Sequence, residues 1–227
     1  ANNFGESFED IADAMGEVRN QTGEVGKALE ETTTNALMLR DTFGFEVNES
    51  VRAAKMLMDQ FGVSSEDAYK LIAQGAQNGL DKNGDLLDTI NEYGVHFKQL
   101  GFSSEEMFNM LANGAAAGTF SVDKLGDSIK EFGIRVKDGT ADDAFAALGL
   151  SVDKTQRAFL EGGEAGKKAF GDVTKALFAM KDPVQQNQLG VMMFGTMWED
   201  LGKDGVQAMT ELTGAVSLGK DALAQIN

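Results

Sequence analysis

Apolar positions recur at helical spacing along most of the chain, and in its middle the pattern returns with a fixed offset. The stretch from Asp59 to Lys98 maps onto Lys98 to Lys137, 39 residues later, without a gap. Phe61-Gly62-Val63-Ser64-Ser65-Glu66-Asp67 returns as Leu100-Gly101-Phe102-Ser103-Ser104-Glu105-Glu106, and Asp88-Thr89-Ile90-Asn91-Glu92-Tyr93-Gly94-Val95 as Asp127-Ser128-Ile129-Lys130-Glu131-Phe132-Gly133-Ile134. A third start, Leu148-Gly149-Leu150-Ser151-Val152-Asp153, lies 48 residues after the second, so this copy carries about nine extra residues after Lys137. Periods near 40 belong to arrays of helix pairs, in which each unit buries its apolar face only against its neighbours. The pattern predicts an all-α fold of short helical hairpins with no significant β-sheet.

Each copy carries its own boundary signals. Gly62, Gly101 and Gly149 follow apolar runs and can take the left-handed backbone that ends a helix; Ser64, Ser103 and Ser151, two places on, can accept a bond from a free N–H at the next helix start. Ser64 with Asp67 and Ser103 with Glu106 have capping-box spacing, which adds a reciprocal bond and puts negative charge at the positive helix end. These serines read as caps, since no GxSxG turn surrounds them and the sequence has one histidine, His96.

Three parts follow from the pattern: an amphipathic N-terminal helix within residues 1–32, a helical repeat region over 33–163, and a C-terminal helical region over 164–227 packed on the repeats. In the first, Phe8, Ile11, Met15, Val18, Thr22, Val25 and Leu29 form a heptad seam with one polar position, weakened by Gly16, Gly23 and Gly26. That seam suits either a short coiled coil joining copies of the chain or a helix lying on its own domain. Helices are predicted near 49–60, 65–78, 85–98, 104–116, 122–136, 140–148, 152–161, 164–180, 184–194, 203–213 and 217–226. Pro183 after Asp182 suits a first helical turn, where the missing N–H does no harm.

Composition sharpens the picture. The 27 glycines make about 12% of the 227 residues, against a usual fraction of roughly 7%. Each glycine inside a helix costs on the order of 1 kcal/mol relative to alanine, so their number favours short helices with frequent turns over a continuous rod. The net charge of −16 repels phosphate backbones and anionic membranes, so neither direct nucleic-acid binding nor membrane contact is expected. Without cysteine, disulfide and thiolate–metal schemes fall away. No apolar run approaches the roughly 18 residues of a spanning helix, and no secretory-type leader is seen. A start at Ala1, with no methionine, suggests an excised fragment or a processed product.

Four motifs invite a chemical reading. The run Asp81 to Glu92 places Asp81, Asn83, Asp85, Thr89 and Glu92 at oxygen positions of a calcium-binding EF-hand, but Leu86 stands where the sharp turn needs glycine and Asp88 where an apolar residue belongs. Glu161-Gly162-Gly163-Glu164-Ala165-Gly166-Lys167-Lys168 has the look of a phosphate loop, yet Glu161 replaces its first glycine and Lys168 its hydroxyl. It reads as a turn between helices. Neighbouring carboxylates (Asp142-Asp143, Glu199-Asp200, Glu105-Glu106) do not face each other on a helix, so they read as solvated faces or caps, not as acid–base pairs. His96 has no soft ligand beside it, and Met107, Phe108, Met110 and Leu111 read as core filling or, in the alternative, as a partner groove. No catalytic, cofactor-binding or metal-binding residue is assigned, and no cofactor is expected.

The combination of Gly79-Leu80 with Gly84-Asp85-Leu86-Leu87-Asp88-Thr89-Ile90-Asn91-Glu92-Tyr93, then Phe97-Lys98-Gln99-Leu100-Gly101-Phe102-Ser103, and later Met180-Lys181-Asp182-Pro183 with Leu189-Gly190-Val191-Met192-Met193-Phe194-Gly195-Thr196-Met197-Trp198-Glu199-Asp200-Leu201, resembles the phage tail tape measure protein family of long-tailed bacteriophages and prophages. The likeness runs from about residue 30 to 213. It implies a structural virion protein without catalysis, assembled in the bacterial host cytoplasm. Such proteins lie in the tail tube lumen in several copies, set the length at which tube polymerisation stops and leave ahead of the DNA. The partners implied are the tail tube, other tail proteins and further copies of the chain. Family members are several times longer, with coiled-coil tracts, apolar segments and sometimes a cell-wall-cleaving domain; none is present in this sequence, so neither pore formation nor muralytic activity carries over. The competing classes are a helical-repeat adaptor for a protein partner and an enzyme with an unrecognised site.

Overall fold

The computed structural model describes residues 7–118, 121–220 and 223. Among these it contains helices joined by turns and no strand. The first seven helices are α1 (Phe8–Thr22), α2 (Gly26–Phe43), α3 (Val47–Phe61), α4 (Ser65–Gln77), α5 (Leu86–Gln99), α6 (Ser104–Ala116) and α7 (Val122–Lys137). They are followed by α8 (Asp142–Ala147), α9 (Val152–Glu161), α10 (Gly163–Phe178), α11 (Pro183–Phe194) and α12 (Thr196–Met209). Helices α1, α3, α5, α7 and α11 lie side by side in one layer and α2, α4, α6 and α12 in the other, with α8, α9 and α10 packed together against α5, α7 and α11.

Cap chemistry explains the boundaries. Ser64 Oγ accepts the Asp67 N–H at 3.1 Å, but the reciprocal bond expected there is missing, the Asp67 carboxylate taking the Ser64 hydroxyl at 2.9 Å and not its N–H. Ser103 Oγ accepts the N–H of Glu106 at 3.1 Å while the Glu106 carboxylate takes the Ser103 N–H at 2.8 Å. Asp182 caps α11 from in front of Pro183, accepting from Val184 N at 2.9 Å. Ser151 stands at the same place before α9, but its ψ of 111° replaces the 162° and 168° of Ser64 and Ser103, and its hydroxyl makes no cap bond. The cap expected there is therefore positional only.

Other expectations need correction. The seam from Phe8 to Leu29 is not one helix: Gly23 adopts φ +73° and the chain folds back, so that Val18 and Leu29 are buried while Phe8 stays 87% exposed. Past it, α2 continues through Thr32-Thr33-Thr34 to Phe43, where no helix was predicted. The hydroxyls of Thr33 and Thr34 bond back to Leu29 O and Glu30 O (2.6 and 2.8 Å), a helix-internal arrangement open to threonine. The helix placed at 203–213 instead begins at Thr196, kinks at Gly202 and ends at Met209. Over 217–226, Ser217 to Lys220 form a turn and not a helix; apart from Leu223, in a 3₁₀ turn, the rest of that stretch lies outside the described residues.

An aromatic cluster joins four helices in the core. Phe132 of α7 contacts Phe159 of α9, Phe170 of α10 and Phe194 of α11, with ring centroids 5.3, 5.1 and 5.1 Å apart. Phe194 continues to Trp198, which stacks on Phe178 and donates its indole N–H to Asn187 Oδ1 at 2.9 Å. A second close contact is made by backbone. Gly101 has φ +94°, and a Cβ there would overlap the carbonyl of Gly163. The glycines of the 161–168 run thus let the start of α10 pack on the turn that ends α5.

Candidate functional site

After α12 the chain runs without helix across α4 and α6, and this segment, residues 211–220, is held mainly by its backbone. Asn113 Nδ2 donates to the carbonyls of Glu211 and Thr213, at 2.9 and 3.1 Å. Asn109 then pairs with both polar groups of Val216: its Nδ2 donates to Val216 O and its Oδ1 accepts from Val216 N, each at 3.0 Å. Gln74 does the same for Ser217, donating to its carbonyl at 2.7 Å and accepting its N–H at 2.8 Å. It donates also to Lys220 O at 3.3 Å. Leu218 N donates to the Glu105 carboxylate, and Lys70 Nζ reaches Leu218 O at 3.4 Å.

Val216 and Ser217 present their polar pairs to opposite sides, the alternation that two successive residues of extended backbone give. Val216 turns its pair toward α6 and Ser217 turns its pair toward α4. The two amides that receive them are sequestered, Gln74 being 3% and Asn109 5% exposed. Val216 itself is buried in the core, 2% exposed. Gly214 makes the approach possible, since a Cβ there would stand 2.7 Å from Asn109 Oδ1.

The residues singled out in the sequence are dispersed. Asp81 Oδ1 accepts the Leu86 N–H, while Asp85 Oδ2 takes the Ser121 hydroxyl and the Asp123 N–H at the start of α7. Asp88 faces Arg52 and Glu92 faces Lys130, so the loop's oxygens point to separate partners. Among the described residues no group of three or more His, Asp or Glu side chains is placed to hold a metal ion. His96 is half-buried, and that burial, with the ammonium groups of Lys130 and Lys137, holds its pKa below the ordinary value. Glu106 serves as cap and ion-pairs with Lys167 at 3.1 Å, whereas Glu105 turns to the 211–220 segment, so these neighbours diverge. Neither is a freely solvated carboxylate. Met107, Phe108, Met110 and Leu111 are all fully buried. Sequence reasoning missed Gln74, Asn109 and Asn113; the available signal was that Asn113 stands 39 residues after Gln74, and Asn109 39 after Lys70.

A cleft of about 460 Å³ opens between α2 and α4, lined among others by Glu24, Glu31, Thr32, Ser65 and Glu66. Among the described residues no helix is long and apolar enough to cross a membrane. Comparison with known proteins places the chain. Residues 1–195 match the model of the phage-related minor tail protein family. The chain belongs to that family. The match starts at residue 1, ahead of the start near residue 30 expected from the resemblance.

Within and around this minor tail protein family, two relatives are informative. The probable tape measure protein of Streptomyces phage phiC31 is 38% identical over 197 residues, covering 86% of this chain and 26% of that protein. The uncharacterized protein YqbO of Bacillus subtilis strain 168 is 39% identical over 204 residues, covering 88% of this chain and 13% of that protein. The chain therefore spans about a quarter of the first relative and about an eighth of the second. No solved structure gives a significant match. The family makes this chain a phage tail structural protein and a virion component.

Proposed function

We propose that this chain is a segment of a tape measure protein that lies in the lumen of the tail tube, contacts the tube, other tail proteins and further copies of itself, and sets tail length without catalysis. The observation that carries the reading is the 38% identity to the probable tape measure protein of phage phiC31 across 86% of this chain. A net charge of −16 supports it, because a filler of the bore must not grip DNA passing through.

The test is an in-frame deletion of Gly62 to Leu100 in the parent gene, with tail lengths measured in electron micrographs. A continuous helix in the tube would shorten the tail by about 1.5 Å per residue, roughly 60 Å. In the side-by-side stack, one hairpin occupies a single helix spacing in each layer, so its removal shortens the array by only about 10 Å. Normal length with normal yield would refute a gauging role for this region. Absence of the parent protein from purified virions would refute the tape measure reading itself.

A further inference from the structure

We infer that the face shared by α4 and α6 is a docking groove for a non-helical polypeptide segment, read through its main chain, and that residues 211–220 are its built-in occupant. Three observations carry this. Gln74 and Asn109 stand on opposite walls, and each satisfies both the N–H and the C=O of one residue, Ser217 and Val216, the pairing that a neighbouring β-strand would otherwise provide. With the segment seated the two amides are 3% and 5% exposed, and buried side-chain amides are costly unless paired, so their pairing with that backbone is what makes their burial tolerable. The grip is also distributed by the sequence offset: Lys70 and Asn109 stand 39 residues apart, as do Gln74 and Asn113, and all four donate to carbonyls of the same segment.

The groove asks little of side chains. It needs an apolar residue at the Val216 position, a residue without Cβ at Gly214, and N–H groups at Val216, Ser217 and Leu218, so proline is excluded there. The occupant is this chain's own segment. Because that segment is tethered beside the groove, its effective concentration reaches the millimolar range, and a competing peptide binds well only when the tethered copy is disabled.

The experiment uses the full chain and a fluorescein-labelled decapeptide with the sequence of residues 211–220. In the double variant Val216→Asp, Ser217→Pro the tethered segment is released, and circular dichroism with Trp198 emission checks that the helices remain. Fluorescence anisotropy should give saturable binding to this variant, at least tenfold tighter than to the unmodified chain. Adding Gln74→Leu and Asn109→Leu should weaken that binding at least tenfold, and a peptide with proline at the Ser217 position should not bind. No binding by the folded released variant, or equal binding with and without the two amides, overturns the inference. Hydrogen exchange on the unmodified chain is an independent check that needs no release. Slow exchange at Val216, Ser217 and Leu218, lost in Gln74→Leu, supports the groove; fast exchange at all three in the unmodified chain overturns it. A dimer of the unmodified chain that disappears in the Gln74→Leu, Asn109→Leu variant would move the occupant to a second copy and overturn the assignment to the chain's own segment. Every readout is on purified protein, so failure here is separable from failure of the tape measure reading.

Discussion

Replacing Phe132 by alanine should be among the most damaging single changes in this chain. Its ring is fully buried and packs on three phenylalanines from three other helices, so truncation removes the transfer energy of an aromatic side chain and leaves a cavity that those helices cannot all close. Phenylalanine-to-alanine changes in cores cost about 3–5 kcal/mol, and each lost ring pair contributes about 0.5–1.5 kcal/mol within such totals. A loss of about 4 kcal/mol is therefore expected. For a chain of this size each kcal/mol moves the melting temperature by roughly 2–4 °C, so the transition should fall by about 8–16 °C. Thermal and urea unfolding followed by far-ultraviolet circular dichroism measures it, and emission from Trp198 reports separately on the cluster's edge. The matched control is Ile134→Ala on the same helix, where the side chain is 44% exposed and the cost should stay below about 1 kcal/mol. If Phe132→Ala lost less than about 1.5 kcal/mol, or no more than the control, the cluster would not be what joins α7 to α9, α10 and α11.

Other substitutions test local claims. Gly101→Ala should destabilise by about 2 kcal/mol or more, because φ is +94° and the added carbon meets the Gly163 carbonyl, while Gly16→Ala, in an open helical position, should stabilise by about 0.5–1 kcal/mol; denaturation midpoints decide both. His96 has a folded-state pKa below its ordinary 6.5, so the unfolded chain takes up the proton first: its contribution to stability is whole above that value and is lost as the pH falls below it. Stability measured between pH 7.5 and 5 should therefore fall less steeply in His96→Gln, and identical slopes would contradict the assignment. Millimolar calcium should leave the melting temperature unchanged, since Asp81, Asp85 and Glu92 are engaged elsewhere; a rise of several degrees that Glu92→Ala abolishes would overturn this.

The parts of the fold legible in the sequence are those fixed by local chemistry. Ser64 and Ser103 announce α4 and α6 to within a residue, because a capping hydroxyl and the glycine before it act over one turn. Gly23 was visible as a weakness, but whether a glycine bends a helix or ends it depends on what the next segment packs against, and here α2 folds back on α1. Thr32-Thr33-Thr34 concealed the middle of α2, since a β-branched run lowers helix propensity while burial against the neighbouring layer overrides it. The groove was least legible. An isolated Gln74 or Asn109 on an amphipathic helix looks like a solvated polar side chain, and only the return of the chain more than a hundred residues later turns it into a receptor for backbone.

The folding-back of these helices makes end-to-end length a property of state as well as of residue count. Drawn out as one helix, 227 residues would span about 340 Å, whereas the longest helix here, the 18 residues of α2, spans about 27 Å. Converting one into the other requires no change of secondary structure at most positions, only the parting of layers and the straightening of turns. Glycines with positive φ sit in most of the turns and apolar burial holds the layers, so a pulling force would act on packing before helical hydrogen bonds. For a protein proposed to gauge a tube, the calibration would then reside in the free energy of its core, and a substitution at Phe132 would alter reach under load without adding or removing a residue.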